Sequence, residues 1–115
     1  MSKYPFIVLL FLALNAGVNA ENLSTNPELT NTYYQSLAEQ GSPYAQLVMG
    51  EIYVLGDGVP KDYIQAYAWF HVALAQGVEE AQDQMDSILN KLKPNELLQA
   101  RVLAKEFEKV YVNNQ

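Results

Sequence analysis

The 115-residue chain contains no cysteine. That excludes disulfides, thiolate metal sites, a thiol nucleophile and a lipid-modified cysteine behind an N-terminal apolar run. Histidine is nearly as scarce, since His71 is the only one. A single histidine without a cysteine partner is a poor metal site, and the expectation for it is a half-buried or surface polar residue. No stretch after residue 20 alternates apolar and polar side chains as a half-buried strand does. Gly56-x-Gly58 lacks a third glycine and a preceding strand, so it is no dinucleotide fingerprint. No serine sits in a nucleophile elbow. These absences together predict no catalytic residue, no metal and no cofactor.

Positive charge is also in short supply, and its placement is informative. Lys3 precedes the unbroken apolar run Phe6 to Leu14, and Val18-Asn19-Ala20 follows with small residues at the −3 and −1 positions of a cut after Ala20. That order is the pattern of a secretory signal peptide, expected over residues 1–20. A membrane span needs roughly 20 apolar residues, more than this run supplies, so no stable membrane insertion is expected once the signal is cleaved. The expected destination is the periplasm or the medium. Without Lys3 the remaining chain carries six basic and thirteen acidic side chains, a net charge of −7. Such a chain repels a phosphate backbone, so nucleic acid is excluded as a partner.

What remains has helical spacing throughout. Residues 21–26 read as a disordered start and 112–115 as a frayed tail, with one all-α domain over 27–111. Five helices are expected, at about 27–40, 43–55, 62–76, 78–92 and 94–111. Asn26, Ser42 and Asp62 are good N-caps, Pro27, Pro43 and Pro94 suit first helical positions, and Gly41, Gly56 and Gly77 stop helices. Displacing the chain by 36 residues superimposes Tyr33-Tyr34 on Trp69-Phe70, Gln40-Gly41 on Gln76-Gly77, Ala45-Gln46 on Ala81-Gln82, Met49 on Met85 and Ile52 on Ile88. A period of that length belongs to paired-helix repeats.

Ala45, Met49, Gly50, Tyr53, Gly56, Gly58, Asp62, Ala66, Trp69, Ala73 and Gly77 stand at fixed spacings that closely resemble a Sel-one-like repeat, a relative of the tetratricopeptide repeat. That family has Leu where Met49 stands and Ala where Leu74 stands. One full repeat is covered, about 41–77. Residues 27–41 resemble the second helix of a degenerate earlier repeat, and 78–92 the first helix of a later one. The proline-opened segment from Lys93 to Ala100 resembles the terminal helix of bacterial members. The resemblance implies a short α/α solenoid with a C-terminal capping helix and an adaptor or scaffold role.

The residues themselves agree. Gly50 costs its helix about 1 kcal/mol of propensity, which another helix crossing closely there would explain. The third helix is apolar nearly all round, as a sandwiched helix is. On the second helix Tyr44, Leu47, Val48, Glu51 and Leu55 share a face other than the core face. In paired-helix solenoids the first helix of each pair lines the concave side, so these five form the expected partner-binding set. Burial of that face by neighbouring helices is the competing reading. Glu79, Glu80, Asp83 and Asp86 read as a solvated, acidic helix face. Leu97, Ala100, Leu103, Ala104, Phe107 and Tyr111 form one stripe of the fifth helix, the expected lid on the core, with Leu98 and Val102 opposite. The expected function is therefore an exported, non-catalytic module that binds another protein, as a monomer or weak homo-oligomer. The alternatives are a small cell-wall-acting hydrolase and a structural subunit that oligomerises through its C-terminal helix.

Overall fold

The computed structural model describes residues 25–112, so the expected signal segment, most of 21–26 and the last three residues of the tail lie outside it. Five helices follow one another: α1 Pro27–Glu39, α2 Pro43–Leu55, α3 Tyr63–Ala75, α4 Glu80–Leu89 and α5 Pro94–Tyr111. Each of the first three starts at the expected cap. Asn26 Oδ1 accepts from the N–H groups of Glu28 and Leu29, and Ser42 Oγ accepts from Ala45. Asp62 Oδ1 accepts from the N–H groups of Ile64 and Gln65. These bonds satisfy backbone donors that a helix leaves free at its start. Helix α2 stops at Gly56, which takes the left-handed conformation at φ 71° and returns its N–H to the Ile52 carbonyl.

Helix α4 is shorter than the 78–92 expected. Gly77 leaves α3 at φ 98°, and neither Val78 nor Glu79 offers a side-chain cap. The chain therefore spends Val78 and Glu79 in a turn before helical bonding starts at Glu80. Helix α5 opens with Pro94, and the Glu96 carboxylate accepts from the Lys93 N–H at 2.9 Å.

Packing runs along the chain in pairs, α1 on α2, α2 on α3 and α3 on α4, and then α5 folds back onto α3. Helix α3 is therefore the central member, and Ala66, Ala68, Trp69, Phe70, Val72 and Ala73 are all buried. Two apolar clusters flank it. One holds Leu37, Ala38, Ala45, Met49, Ile52, Trp69 and Val72, and the other Leu47, Ala66, Phe70, Ala73, Ala81, Met85 and Ile88. The lid of α5 is aromatic. Trp69 stacks on Tyr111 at 5.2 Å between centroids, and Phe107 lies 4.5 Å from Trp69. Among the described residues the Trp69 Nε1–H is buried without a hydrogen-bond partner, so buried area and ring contact hold this ring.

Gly50 marks the closest approach. A Cβ at that position would lie 2.3 Å from Cε1 of the fully buried Phe70 ring. Only a hydrogen fits between α2 and α3 there, which accounts for a glycine inside a helix.

Candidate functional site

Helix α2 carries the five residues expected to meet a partner, and the structure divides them. Tyr44 and Leu55 are 65% and 71% exposed, near opposite ends of the helix. Val48 is half-buried between them. Glu51 is also half-buried, accepts a hydrogen bond from Gln84 Nε2 of α4 at 3.3 Å, and has its pKa raised, first by burial and then by the nearby Glu80. Leu47 does not belong to this surface. It is 2% exposed and packs against Ala66, Phe70, Ala73 and Ala81. The correction follows from helix geometry: at about 100° per residue, Tyr44, Val48, Glu51 and Leu55 lie within a narrow stripe. Leu47 sits about 60° round from Tyr44, on the side that α3 and α4 cover.

Two depressions border the stripe. At its start a groove of about 490 Å³ is lined by Tyr33, Tyr34 and Leu37 of α1 and by Gly41, Tyr44 and Ala45 at the turn into α2. At its end a shallower hollow of about 260 Å³ lies between Glu51, Val54, Leu55 and Gln84. The two rings of Tyr33 and Tyr34 meet edge to face at 5.3 Å. Burial, and then the neighbouring Tyr34, raises the Tyr33 pKa, so Tyr33 is a neutral hydrogen-bonding phenol at physiological pH. This groove was not among the expected site residues, although the match of Tyr33-Tyr34 to Trp69-Phe70 already marked those rings as occupying a core position.

The polar groups elsewhere are accounted for by structure. His71 Nε2 and Glu108 Oε2 stand 2.8 Å apart, tying α3 to α5. The hydrogen bond to His71 lowers the Glu108 pKa, outweighing partial desolvation. Gln46 is fully buried. Its Nε2 donates to the Ala38 carbonyl at 3.1 Å and its Oε1 accepts from Gln76 Nε2 at 2.6 Å, joining α1, α2 and the end of α3. Glu79 in the preceding turn and Glu80, Asp83 and Asp86 on α4 are exposed. Among the described residues no three His, Cys, Asp or Glu side chains converge as a metal site, and no helix is long and apolar enough to cross a membrane.

Paired antiparallel helices stacked at a 36-residue repeat, with one stripe of first-helix side chains left open, define an α/α repeat solenoid. The chain belongs to the Sel1 repeat family, whose model matches residues 10–42 and 43–78. The second match contains α2, α3 and all the signature positions. The first contains α1 as its second helix and begins inside the apolar run, outside the described residues. Sel1 repeats are protein–protein interaction modules and are in general non-catalytic scaffolds. Among solved structures, the chain is similar to a protective antigen present in uropathogenic Escherichia coli strains that displays an SLR fold. The TM-score is 0.76 and the identity 29%, over 96% of this chain and 23% of that one. The chain thus spans under a quarter of that antigen's length. No curated protein matches the chain.

Proposed function

We propose that this chain is an exported protein–protein interaction module that recognises a segment of another protein on the open stripe of α2, with Tyr44 and Leu55 as its anchors. The observation that carries the reading is the 65% and 71% exposure of these two large side chains, on one face of a helix that is otherwise buried or half-buried. An apolar anchor gains about 25 cal/mol for each Å² of apolar surface that a partner removes from water. Tyrosine adds a rigid ring with a polar end, a combination common at binding hot spots. Because α2 is fixed on three sides by α1, α3 and α4, little ordering entropy is lost when the stripe is covered. The surrounding carboxylates, Glu51, Glu80 and Asp83, favour a basic or neutral partner. Export rests on the basic, apolar, small-residue order of residues 1–20.

Affinity capture from the native envelope tests the binding face. Tyr44→Ala combined with Leu55→Ala is expected to lose the captured protein while the helical circular dichroism signal and Tm stay unchanged. Capture equal to wild type by the folded double variant would remove the stripe as the binding surface. Mass spectrometry of the exported product tests the leader, with a mature N-terminus at Glu21 expected. A retained residue 1 in the exported fraction would reject cleavage.

A further inference from the structure

We infer that the outer face of α5 docks on the α4 face of a second copy, so that the chain assembles head to tail. This goes beyond the α2 stripe and uses a different surface. The starting point is where the charge lies. Residues 25–90 hold nine acidic side chains and one basic, Lys61, while residues 91–112 hold five basic and three acidic. The described part of the molecule is thus polarised, with its positive end at α5 and the turn before it. These charges do not neutralise each other within one copy. Helices α4 and α5 each pack on α3 and make no extensive contact with each other. The sole ion pair among the described residues is His71 with Glu108.

Two ridges run side by side along the outer side of α5. Arg101, Lys105 and Lys109 recur every four residues, within about 80° of one another round the helix, and all three are exposed. The next ridge carries Leu98 and Val102, 65% and 64% exposed, followed by Glu106 and Val110. An exposed apolar pair flanked by three cations without ion-pair partners suits a counterpart that is acidic and partly apolar.

Helix α4 presents that counterpart. Glu80, Asp83, Asp86 and Leu89 recur every three residues and are all exposed, and α4 contains no lysine or arginine. Run antiparallel, the two helices match in order: Leu98 and then three cations in α5, Leu89 and then three carboxylates in α4. They also match in length. At 1.5 Å per residue, Leu98 to Lys109 is about 16 Å and Leu89 to Glu80 about 14 Å. A ridge of every fourth residue beside a ridge of every third is the packing class whose axes cross at only about 20°. The residues outside the described range do not supply this complement, since their one acidic side chain is Glu21. The contact joins two different faces, so each added copy still offers one of them, and copies add on rather than close as a pair.

The test uses the exported protein, with its N-terminus read by mass spectrometry. Sedimentation equilibrium at rising concentration is run at about 0.1 M and about 1 M salt, between which the screening length falls from about 10 Å to about 3 Å. The expected weight-average mass climbs past that of a dimer at the lower salt and falls back at the higher. Arg101→Glu with Lys105→Glu, and separately Asp83→Lys with Asp86→Lys, should each weaken association at least about tenfold. Mixing the two variants should restore it, because the intact α5 of one meets the intact α4 of the other. Should a reversal variant fail to fold, Leu98→Ala with Val102→Ala decides, since both side chains are exposed and the charge is kept. The inference is overturned by any of four results: a monomer at both salts, whether or not α5 then binds phosphatidylglycerol vesicles; a mass that stops at a dimer; loss in the reversal variants without rescue on mixing; or association unchanged by Leu98→Ala with Val102→Ala. Tyr44→Ala with Leu55→Ala should self-associate as wild type does. Self-association that survives in that variant, with no partner ever captured through the stripe, would uphold this inference and fail the α2 reading.

Discussion

Gly50→Ala sets two effects of opposite sign against each other. In an exposed helix interior the change is favourable, because alanine has about 1 kcal/mol better helix propensity than glycine. Here the added Cβ would stand 2.3, 2.4 and 2.8 Å from three carbons of the Phe70 ring, where ordinary carbon contacts are about 3.5–4.0 Å. Either α2 and α3 separate by more than about 1 Å or the ring moves. Phe70 is fully buried, among Ala66, Ala73 and Ala81, so it has no open space to enter. Overpacking of a tight core costs typically about 1–3 kcal/mol, and separating the two central helices also loosens Leu47 and Met49, which places this case at the upper end. After the propensity gain is subtracted, the net expectation is a loss of about 1–2 kcal/mol. For a domain of this size that lowers Tm by roughly 4–16 °C. Thermal and urea unfolding followed by circular dichroism measure it. Phe70→Leu in the Gly50→Ala background should recover part of the loss, because it removes the atoms in conflict. A Gly50→Ala variant as stable as wild type, or more so, would refute the close-approach account.

Trp69→Ala removes the ring on which Phe107 and Tyr111 rest and should cost about 3–5 kcal/mol, read from urea midpoints; a loss under about 1 kcal/mol would contradict its central place. Asp62→Ala should cost about 1 kcal/mol through the two N–H groups it caps at the start of α3, whereas Asp62→Asn should cost less, since the amide oxygen can still accept. Gln46→Leu leaves the Ala38 carbonyl and the Gln76 amide without their partner and should cost about 1–3 kcal/mol, with hydrogen exchange rising first at the α1–α2 turn. The Glu108 carboxylate has its pKa lowered by His71, so its contribution is present above the usual carboxylate range and is lost as pH falls through its folded value. Stability against pH in the acidic range should therefore fall less steeply for Glu108→Gln than for wild type, and identical profiles would show that the contact contributes nothing.

Most of the fold was legible because its punctuation is local. Asn26, Ser42, Asp62 and the glycines after α1, α2 and α3 each act within one turn, so cap and stop residues placed these helices to within a residue or so. Helix α4 was overextended at both ends because Val78 is apolar and continues the 3.6-residue pattern, while the missing cap is an absence that periodicity does not register. The open stripe of α2 was legible in Tyr44, Val48, Glu51 and Leu55 and misread at Leu47. A helix with one neighbour buries one arc, and a helix with three buries nearly all of its circumference, so a residue at the edge of the open arc is decided by the third neighbour. The groove beside Tyr33 and Tyr34 depends on what does not pack against α1, and a pattern of residues within α1 cannot display that.

The principal helix pairs are consecutive, except that α5 returns to α3, with a lighter α2–α4 contact at Leu47 and Glu51. Helix α3 therefore takes part in every layer but one, and α1 is held chiefly through α2. Opening α1 by itself breaks one interface, whereas opening α3 breaks three. Amide exchange should accordingly rank α3 as the last of the described helices to release its protons, behind those held through a single principal interface.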